Sequence, residues 1–259
     1  MKASIITPTS ANRKIHFPSL YNCFKSQTYS NCELLILDDS PSKSEFFLEL
    51  NDPNVRYFHA KQGMTIGDKR NHLVQMATGE IIIHFDDDDY YAPNYLEVIV
   101  EHLKEYDFVT LSGWYAYMPR YDFFCYWDTN QFSKYFFDVQ PKLEVRVLAL
   151  EEDMPQEEEH DWIESVLWGY GFSYAYRARV FDTVEFDSLN FGEDFKFFEK
   201  VRAAGYKTTH FLDQEGLALH LVHDQNTSRI LPQYSLPSFL MPQIFGLEII
   251  EFLLAAQGE

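Results

Sequence analysis

Residues 81–93 read IIIHFDDDDYYAP, a short apolar run that ends in four consecutive aspartates and then two tyrosines. The run has the length of a buried strand, and the acids stand where that strand would reach the surface. Carboxylates about 4 Å apart repel by roughly 1 kcal/mol in water and by about 4 kcal/mol at the dielectric of a protein surface, so the cluster calls for a positive partner. Hard divalent cations, Mg2+ or Mn2+, prefer such oxygen ligands and commonly use one or two carboxylates together with substrate phosphates. Alternation along an extended chain places Asp86 and Asp88 on one side and Asp87 and Asp89 on the other, which makes Asp86 and Asp88 the expected pair toward the cation. The competing reading is a solvated acidic turn that favours the N-terminus of the following helix by a few tenths to about 1 kcal/mol. A calcium loop of the EF-hand type does not fit, because no glycine and glutamate follow at the required spacing.

Outward from this stretch the pattern is regular. ASIIT at 3–7 and ELLIL at 33–37 are apolar runs of strand length, each ending in polar residues, and FPSLYNCFKSQ between them carries Phe17, Leu20, Tyr21 and Phe24 at helical spacing with Pro18 in the first turn. VRYFHA at 55–60 reads as a further strand. Thr65 with Asp68 resembles a capping box opening a helix through Leu73, Met76 and Ala77 that Gly79 stops, and a helix from about Pro93 turns Leu96, Ile99, Val100 and Leu103 to one face. Such β-α-β units imply a mostly parallel sheet with right-handed crossovers, in which ligands sit at the carboxyl ends of the strands. The polar tips after Ile6, Leu37 and Phe85 are therefore expected to converge on one crevice.

From 111 to 165 the pattern breaks into aromatic and acidic sequence, including EEDMPQEEEHD, which reads as an insertion with short strands and a solvated loop. Order returns with GYGFSYAYRARVF at 169–181, a helix around EDFKFFEKVRAAG, strand-like YKTTHFL and GLALHLV, and a terminal apolar helix of about three turns in IFGLEIIEFLLAA. That helix is expected to pack on the core or to form a homodimer contact, since it has no basic face to meet anionic lipid.

The 259 residues are 46% hydrophobic and 17% aromatic, which excludes general disorder. A net charge of −19 argues against nucleic acid or an anionic lipid surface as the main partner. No run approaches the length of a membrane span and the first residues lack the apolar core of a signal peptide, so the expected location is cytoplasmic, with peripheral attachment at the inner face of the membrane as a further possibility. Cys23, Cys32 and Cys125 are odd in number and widely spaced, which suggests buried thiols rather than disulfides or a zinc site.

SIITPTSANR, LLILDDS and GDKRNHLVQMATGEIIIHFDDDDYYAP closely resemble the successive motifs of glycosyltransferase family 2, the nucleotide-sugar-dependent enzymes of GT-A fold, and the resemblance resumes at FGEDFKF and HDQNTS. It implies a mixed, mostly parallel, Rossmann-like α/β sheet flanked by helices. It also implies a GT-A domain over 1–228, with a nucleotide-binding half over 1–110, an acceptor-binding half over 111–228, and a helical extension over 229–259. By the same resemblance Pro8, Thr9 and Asp39 hold the base and ribose, and Arg70 lies beside the nucleotide. Asp86 and Asp87 contact the nucleotide sugar, and Asp88, Asp86 and His223 serve the metal. Asp194 is the base that takes the acceptor's proton, with Glu193 orienting the acceptor. His220 lies close to His223, but His223 stands at the strand's end and is preferred. Trp168 and Tyr170 are the expected stacking surfaces for an acceptor sugar.

The expected activity is an inverting, Mn2+- or Mg2+-dependent transfer of a sugar from a nucleotide donor, with UDP the family-level choice, to a saccharide or lipid-linked saccharide in surface polysaccharide or glycoconjugate synthesis. A nucleotidyl- or phosphotransferase is the rival, weakened because TPTSANRK lacks the glycines of a phosphate loop. A non-catalytic nucleotide-sugar-binding homologue is the second rival.

Overall fold

The computed structural model describes residues 1–131, 133–140, 145–149, 156–226 and 228–256. Strands β1 (Ala3–Thr9) and β2 (Cys32–Asp38) run parallel with Ile5 opposite Leu34, and helix α1 (Phe17–Lys25) crosses between them. Proline in its first turn starts α1, and its buried face of Phe17, Leu20, Cys23 and Phe24 seals one side of the sheet. After the short helix α2 (Glu45–Glu49), strand β3 (Val55–His59) adds to the outer side of β2. Helix α3 (Ile66–Met76) is opened by Thr65, whose Oγ1 accepts from the Asp68 amide at 3.1 Å. It ends at Met76, three residues before Gly79, which instead lets the chain pass against the backbone of Lys2 and Ser4, where a Cβ would be 2.7 Å from three atoms.

Strand β4 (Ile81–His84) pairs with β1, the two-residue β5 (Tyr90–Tyr91) follows the acids, and α4 (Tyr95–His102) buries Leu96, Ile99 and Val100. The next two strands take residues 111–128 out of the stretch read as an insertion. β6 (Phe108–Met118) is buried along its whole length and lies at the middle of the main sheet, antiparallel to β7 (Phe123–Asp128). A strand covered on both faces has no apolar–polar alternation, so it carries no period to read. A small hairpin of β8 (Tyr135–Asp138) and β9 (Arg146–Ala149) stands apart, and α5 (Gln156–Leu167) follows. The acidic stretch at 151–155 lies outside the described residues.

Of GYGFSYAYRARVF only Ala175–Arg177 is a strand, β10, inserted antiparallel between β4 and β6. Helix α6 (Glu193–Ala203) leads to β11 (Thr208–Leu212) and β12 (Ala218–Leu221), which pair in parallel with successive halves of β6. The last thirty residues are no separate extension. β13 (Tyr234–Leu236) completes the sheet beside β7, and the terminal apolar stretch is two helices, α7 (Met241–Phe245) and α8 (Glu248–Ala256). Gly246, at φ +82°, breaks them apart so that Phe245, Ile249 and Phe252 can all reach the core. The sheet order β13-β7-β6-β10-β4-β1-β2-β3 puts the carboxyl ends of β1, β2 and β4 side by side. Among the described residues no helix is long and apolar enough to cross a membrane, and the three cysteines are buried free thiols.

Candidate functional site

The ends of β1, β4 and β12, together with the end of α5 and the first turns of α3 and α6, line a cleft of about 1140 Å³. The four aspartates do not continue β4. Residues 86–89 form a turn, so strand alternation does not apply, and each carboxylate takes its own direction. Asp87 is bonded by the Thr9 hydroxyl and by Arg13 Nε at 2.7 Å. Asp88 Oδ2 accepts from Arg13 Nη2 at 2.6 Å, from His223 Nε2 at 2.8 Å and from Asn226 Nδ2 at 3.3 Å. Asp89 accepts from His220 Nδ1 at 3.0 Å and from the Leu221 amide at 2.9 Å. Asp86 alone keeps 29% of its side chain exposed, and its nearest cation is Arg70 Nη2 at 4.0 Å.

These environments separate the acids. Burial raises Asp86 to about 8, the negative charge of Asp89 adding to it and Arg70 opposing. Burial likewise lifts Asp87 to about 6 against the pull of Arg13. Burial of Asp88 is outweighed by Arg13 and His223, which hold it below the usual carboxylate range. His220, although buried, is raised to about 9 by Asp89.

The residues fit a hard divalent cation. Among the described residues Asp86, Asp88 and Asp89 offer carboxylate oxygens within 4.8 Å of one another, and no side chain hydrogen-bonds to the Asp86 carboxylate. A carboxylate driven up to about 8 by desolvation and by Asp89, with Arg70 no closer than 4.0 Å, is one whose charge lacks a close partner, which a cation would supply. Asp87, by contrast, faces Thr9 and Arg13.

Of the residues expected on the nucleotide side, Pro8, Thr9 and Arg70 line this cleft, and Asp39 lies buried at the end of β2. Asp39 Oδ1 is 2.6 Å from Lys69 Nζ, and its Oδ2 accepts from the Gly63 and Met64 amides at 3.0 and 3.2 Å. Lys69 also donates to the Thr9 carbonyl at 2.8 Å, so this lysine ties together the ends of β1 and β2. Asp38 is turned inward to Ser40 and to the Tyr57 hydroxyl at 2.7 Å, which is turn chemistry.

Across the cleft, α6 starts at Gly192 in the left-handed region and presents Glu193 and Asp194. Arg70, expected beside the nucleotide, is buried against these two acids: Nη1 donates to Glu193 Oε1 at 2.8 Å and also to Asp194 Oδ1. The second Asp194 oxygen accepts from the Gly171 amide at 3.1 Å. Burial raises Asp194 to about 7 against Arg70, with Glu193 adding to the rise. Glu193, expected to orient the acceptor, is thus held by Arg70.

Of the two aromatic residues expected to meet the acceptor, only Tyr170 lines the cleft, its hydroxyl donating to the Arg229 carbonyl at 2.7 Å. Trp168 is 6% exposed and stacked on Phe198 at 3.8 Å in the core, and the chain bends after α5 ends at Leu167, so the two rings do not share a surface. Four contributors escaped the sequence reading, the first being Asp89, which strand alternation placed on the side away from the cation. Arg13 was legible in principle, as a cation four residues past the end of β1 in an acidic chain. His16, stacked on His223 at 5.1 Å and lowered to about 4 by burial, and Gly171 left no local signal.

The sequence profile of Glycosyl transferase family 2 matches residues 4–148, which includes much of the stretch from 111 onward. A UDP-Glc:α-D-GlcNAc-diphosphoundecaprenol β-1,3-glucosyltransferase of Escherichia coli is 29% identical over 114 residues, 43% of this chain and 45% of that one. The matches to curated relatives span less than half the length of each relative. Among solved structures, residues 1–349 of S. aureus TarS in complex with UDP-GlcNAc superimpose with a TM-score of 0.58 at 18% identity, over 88% of this chain and 60% of that one. The mannosyltransferase PcManGT from Pyrobaculum calidifontis, in complex with GDP-Man and Mn2+, gives 0.57 at 13% identity over 99% of this chain and 73% of its own.

Proposed function

The chain belongs to glycosyl transferase family 2 and is a glycosyltransferase of GT-A type fold; from that premise we propose that it is an inverting, metal-dependent enzyme that moves a sugar from a UDP donor to a hydroxyl of a lipid-linked saccharide. The observation that carries the reading is that one cleft is lined both by Asp86, the exposed member of the acid group Asp86, Asp88 and Asp89, and by Asp194, which Arg70 and the Gly171 amide hold. Pro8, Thr9 and the Lys69-held Asp39 would receive the base and ribose. Asp86, Asp88 and Asp89 would hold Mn2+ or Mg2+, with His223 orienting Asp88. When bound, such a cation neutralises charge growing on the departing nucleoside diphosphate.

Asp194 takes the proton of the acceptor hydroxyl. That oxygen attacks the anomeric carbon on the face opposite the diphosphate, and the bond from carbon to phosphate oxygen breaks with its electron pair on the leaving group. One displacement inverts the anomeric centre. A carboxylate poised near 7 is matched to proton transfer at neutral pH. Tyr170 and the acceptor half from residue 111 onward would seat the acceptor. The UDP-sugar and diphosphoundecaprenol in the relative's name support this donor and acceptor class, as does the UDP-GlcNAc bound by TarS. A lipid-linked acceptor would bring the protein to a membrane surface.

The test is UDP release and product formation from a panel of UDP-sugars with Mn2+ and an undecaprenyl-diphosphate saccharide. Transfer that is abolished in Asp194→Asn supports the reading. No release or transfer with any donor, or a rate unchanged by Asp194→Asn, overturns it.

A further inference from the structure

One buried guanidinium connects the two sides of the cleft. Arg70 is 4% exposed, and its Nη1 is shared between Glu193 and Asp194 while Nη2 stands 4.0 Å from Asp86. Its Nε is buried without a hydrogen-bond partner, and the guanidinium lies 5.5 Å over the Phe186 ring, which closes off that side. The second oxygen of Asp194 is taken by the Gly171 amide. A Cβ at position 171 would overlap the Asp194 carboxyl group itself, so the carboxylate reaches that amide only because the residue is glycine.

We infer that Arg70 and Gly171 are positioning residues for the base: the guanidinium fixes one oxygen of Asp194, the Gly171 amide fixes the other, and Arg70 does this instead of binding the donor's diphosphate. The inference rests on Asp194 being the base. To reach a diphosphate, Arg70 would have to leave two carboxylates behind in a buried site, which is unfavourable for both. Held at two points, the Asp194 carboxylate has one orientation toward the cleft, as a base for proton transfer requires. Among the described residues, the other titratable groups around it are Glu193 on its own helix, Tyr174, whose hydroxyl donates to the Asp194 carbonyl at 3.2 Å, Tyr176, His84, whose Nδ1 is 2.9 Å from the Gly171 carbonyl, and Asp86 on the far side of Arg70; burial keeps both phenols and the His84 imidazole neutral. Arg70 is therefore the cation that favours the ionised form of Asp194 against its burial. Asn71, next in sequence, bonds both ways with the Phe186 backbone and locks the helix that carries Arg70.

The experiment follows the Asp194 carboxyl by carbon-13 NMR in aspartate-labelled full-length protein, the signal being identified by its loss in Asp194→Asn, beside calorimetric binding of UDP with Mn2+. Arg70→Met is expected to raise the Asp194 midpoint by about one pH unit or more, as loss of a neighbouring cation does. It should leave UDP affinity within about threefold of the parent, and Arg70→Lys should recover a large part of the midpoint. Gly171→Ala is expected to move the Asp194 signal and to lower kcat about tenfold or more with the donor KM unchanged. An unmoved midpoint in Arg70→Met together with UDP affinity weakened by about tenfold or more would make Arg70 a donor ligand and overturn the inference. If Arg70→Met does not fold, unmoved Asp194 signals in both Arg70→Lys and Gly171→Ala overturn it. A parent protein that transfers no sugar but shows these shifts removes the proposed function and leaves the Arg70–Asp194 coupling standing.

Discussion

His223 Nε2 lies 2.8 Å from Asp88 Oδ2, although 135 positions separate the two residues. The same oxygen accepts from Arg13, so groups from beyond β12 and beyond β1 meet on a single acid at the end of β4. Both contacts fall on Oδ2, which leaves the other oxygen of Asp88 for a cation shared with Asp86 and Asp89.

Removing the Asp86 oxygens should separate metal binding from folding, since no close cation pairs with them. In Asp86→Asn, Mn2+ is expected to lose its effect on UDP affinity and turnover to fall by about a hundredfold or more. Calorimetry of UDP with and without Mn2+, beside steady-state rates, checks this. Chelation of the parent should mimic the variant and be reversed by added Mn2+.

Arg13 neutralises Asp87 and Asp88, both 1% exposed at the side chain. Removing one partner of a buried pair costs about 3–5 kcal/mol because the other charge is left uncompensated. Arg13→Met is therefore expected to be destabilised by about that amount in chelator. Mn2+ should raise its Tm by more than it raises the parent's, since a ligand that binds the folded state stabilises it by mass action. Equal Tm gains would show that the cation does not relieve the charge Arg13 balances.

The base sets the acidic limb of the rate profile. Asp194 must be ionised to accept a proton, and burial raises it to about 7 against Arg70. The parent's kcat/KM is expected to rise with pH through about 7 and to level off above it. A limb near the ordinary carboxylate value of about 4 would assign it to another group.

Above pH 6.5 the chelator-treated protein is expected to lose stability as pH rises. Burial raises Asp86 to about 8 and Asp194 to about 7, so the folded chain keeps protons that the unfolded chain has released. Stability falls wherever the folded state binds more protons. His220 acts with the same sign: its pKa, raised to about 9 by Asp89 despite burial, gives stability that is full below 6.5 and lost as pH climbs through 9. His16, lowered to about 4, acts in the opposite sense only below 6.5. Thermal unfolding across this window checks the slope, and Mn2+ should oppose it, since a cation favours the ionised acids.

Trp168 and Tyr170 should separate cleanly. Trp168→Ala removes a buried indole stacked on Phe198 and is expected to cost about 3–5 kcal/mol in urea unfolding. Tyr170→Leu should raise the acceptor KM severalfold and leave the donor KM alone.

The sequence by itself determined the first half of the sheet and the ends of its strands. Apolar runs, a proline in a first turn and the Thr65–Asp68 cap are local features, and the acids after Phe85 are legible because strand ends converge in any sheet of this kind. The motifs that carry the family resemblance lie on those same strand ends. Local period could not reveal β6, which is buried on both faces and has no alternation, nor the break at Gly246 that turns one apolar stretch into two helices. Tertiary structure alone decided the partner of each charge. Arg13 on Asp87 and Asp88, His223 on Asp88 and Arg70 on Asp194 are contacts across 74 to 135 positions, set by which strands are neighbours. It likewise decided that Trp168 is core and Tyr170 is cleft, because the chain bends between them after α5 ends. Electrostatic environment depends on distance in space, and the order of residues along a chain does not specify it until the sheet is assembled.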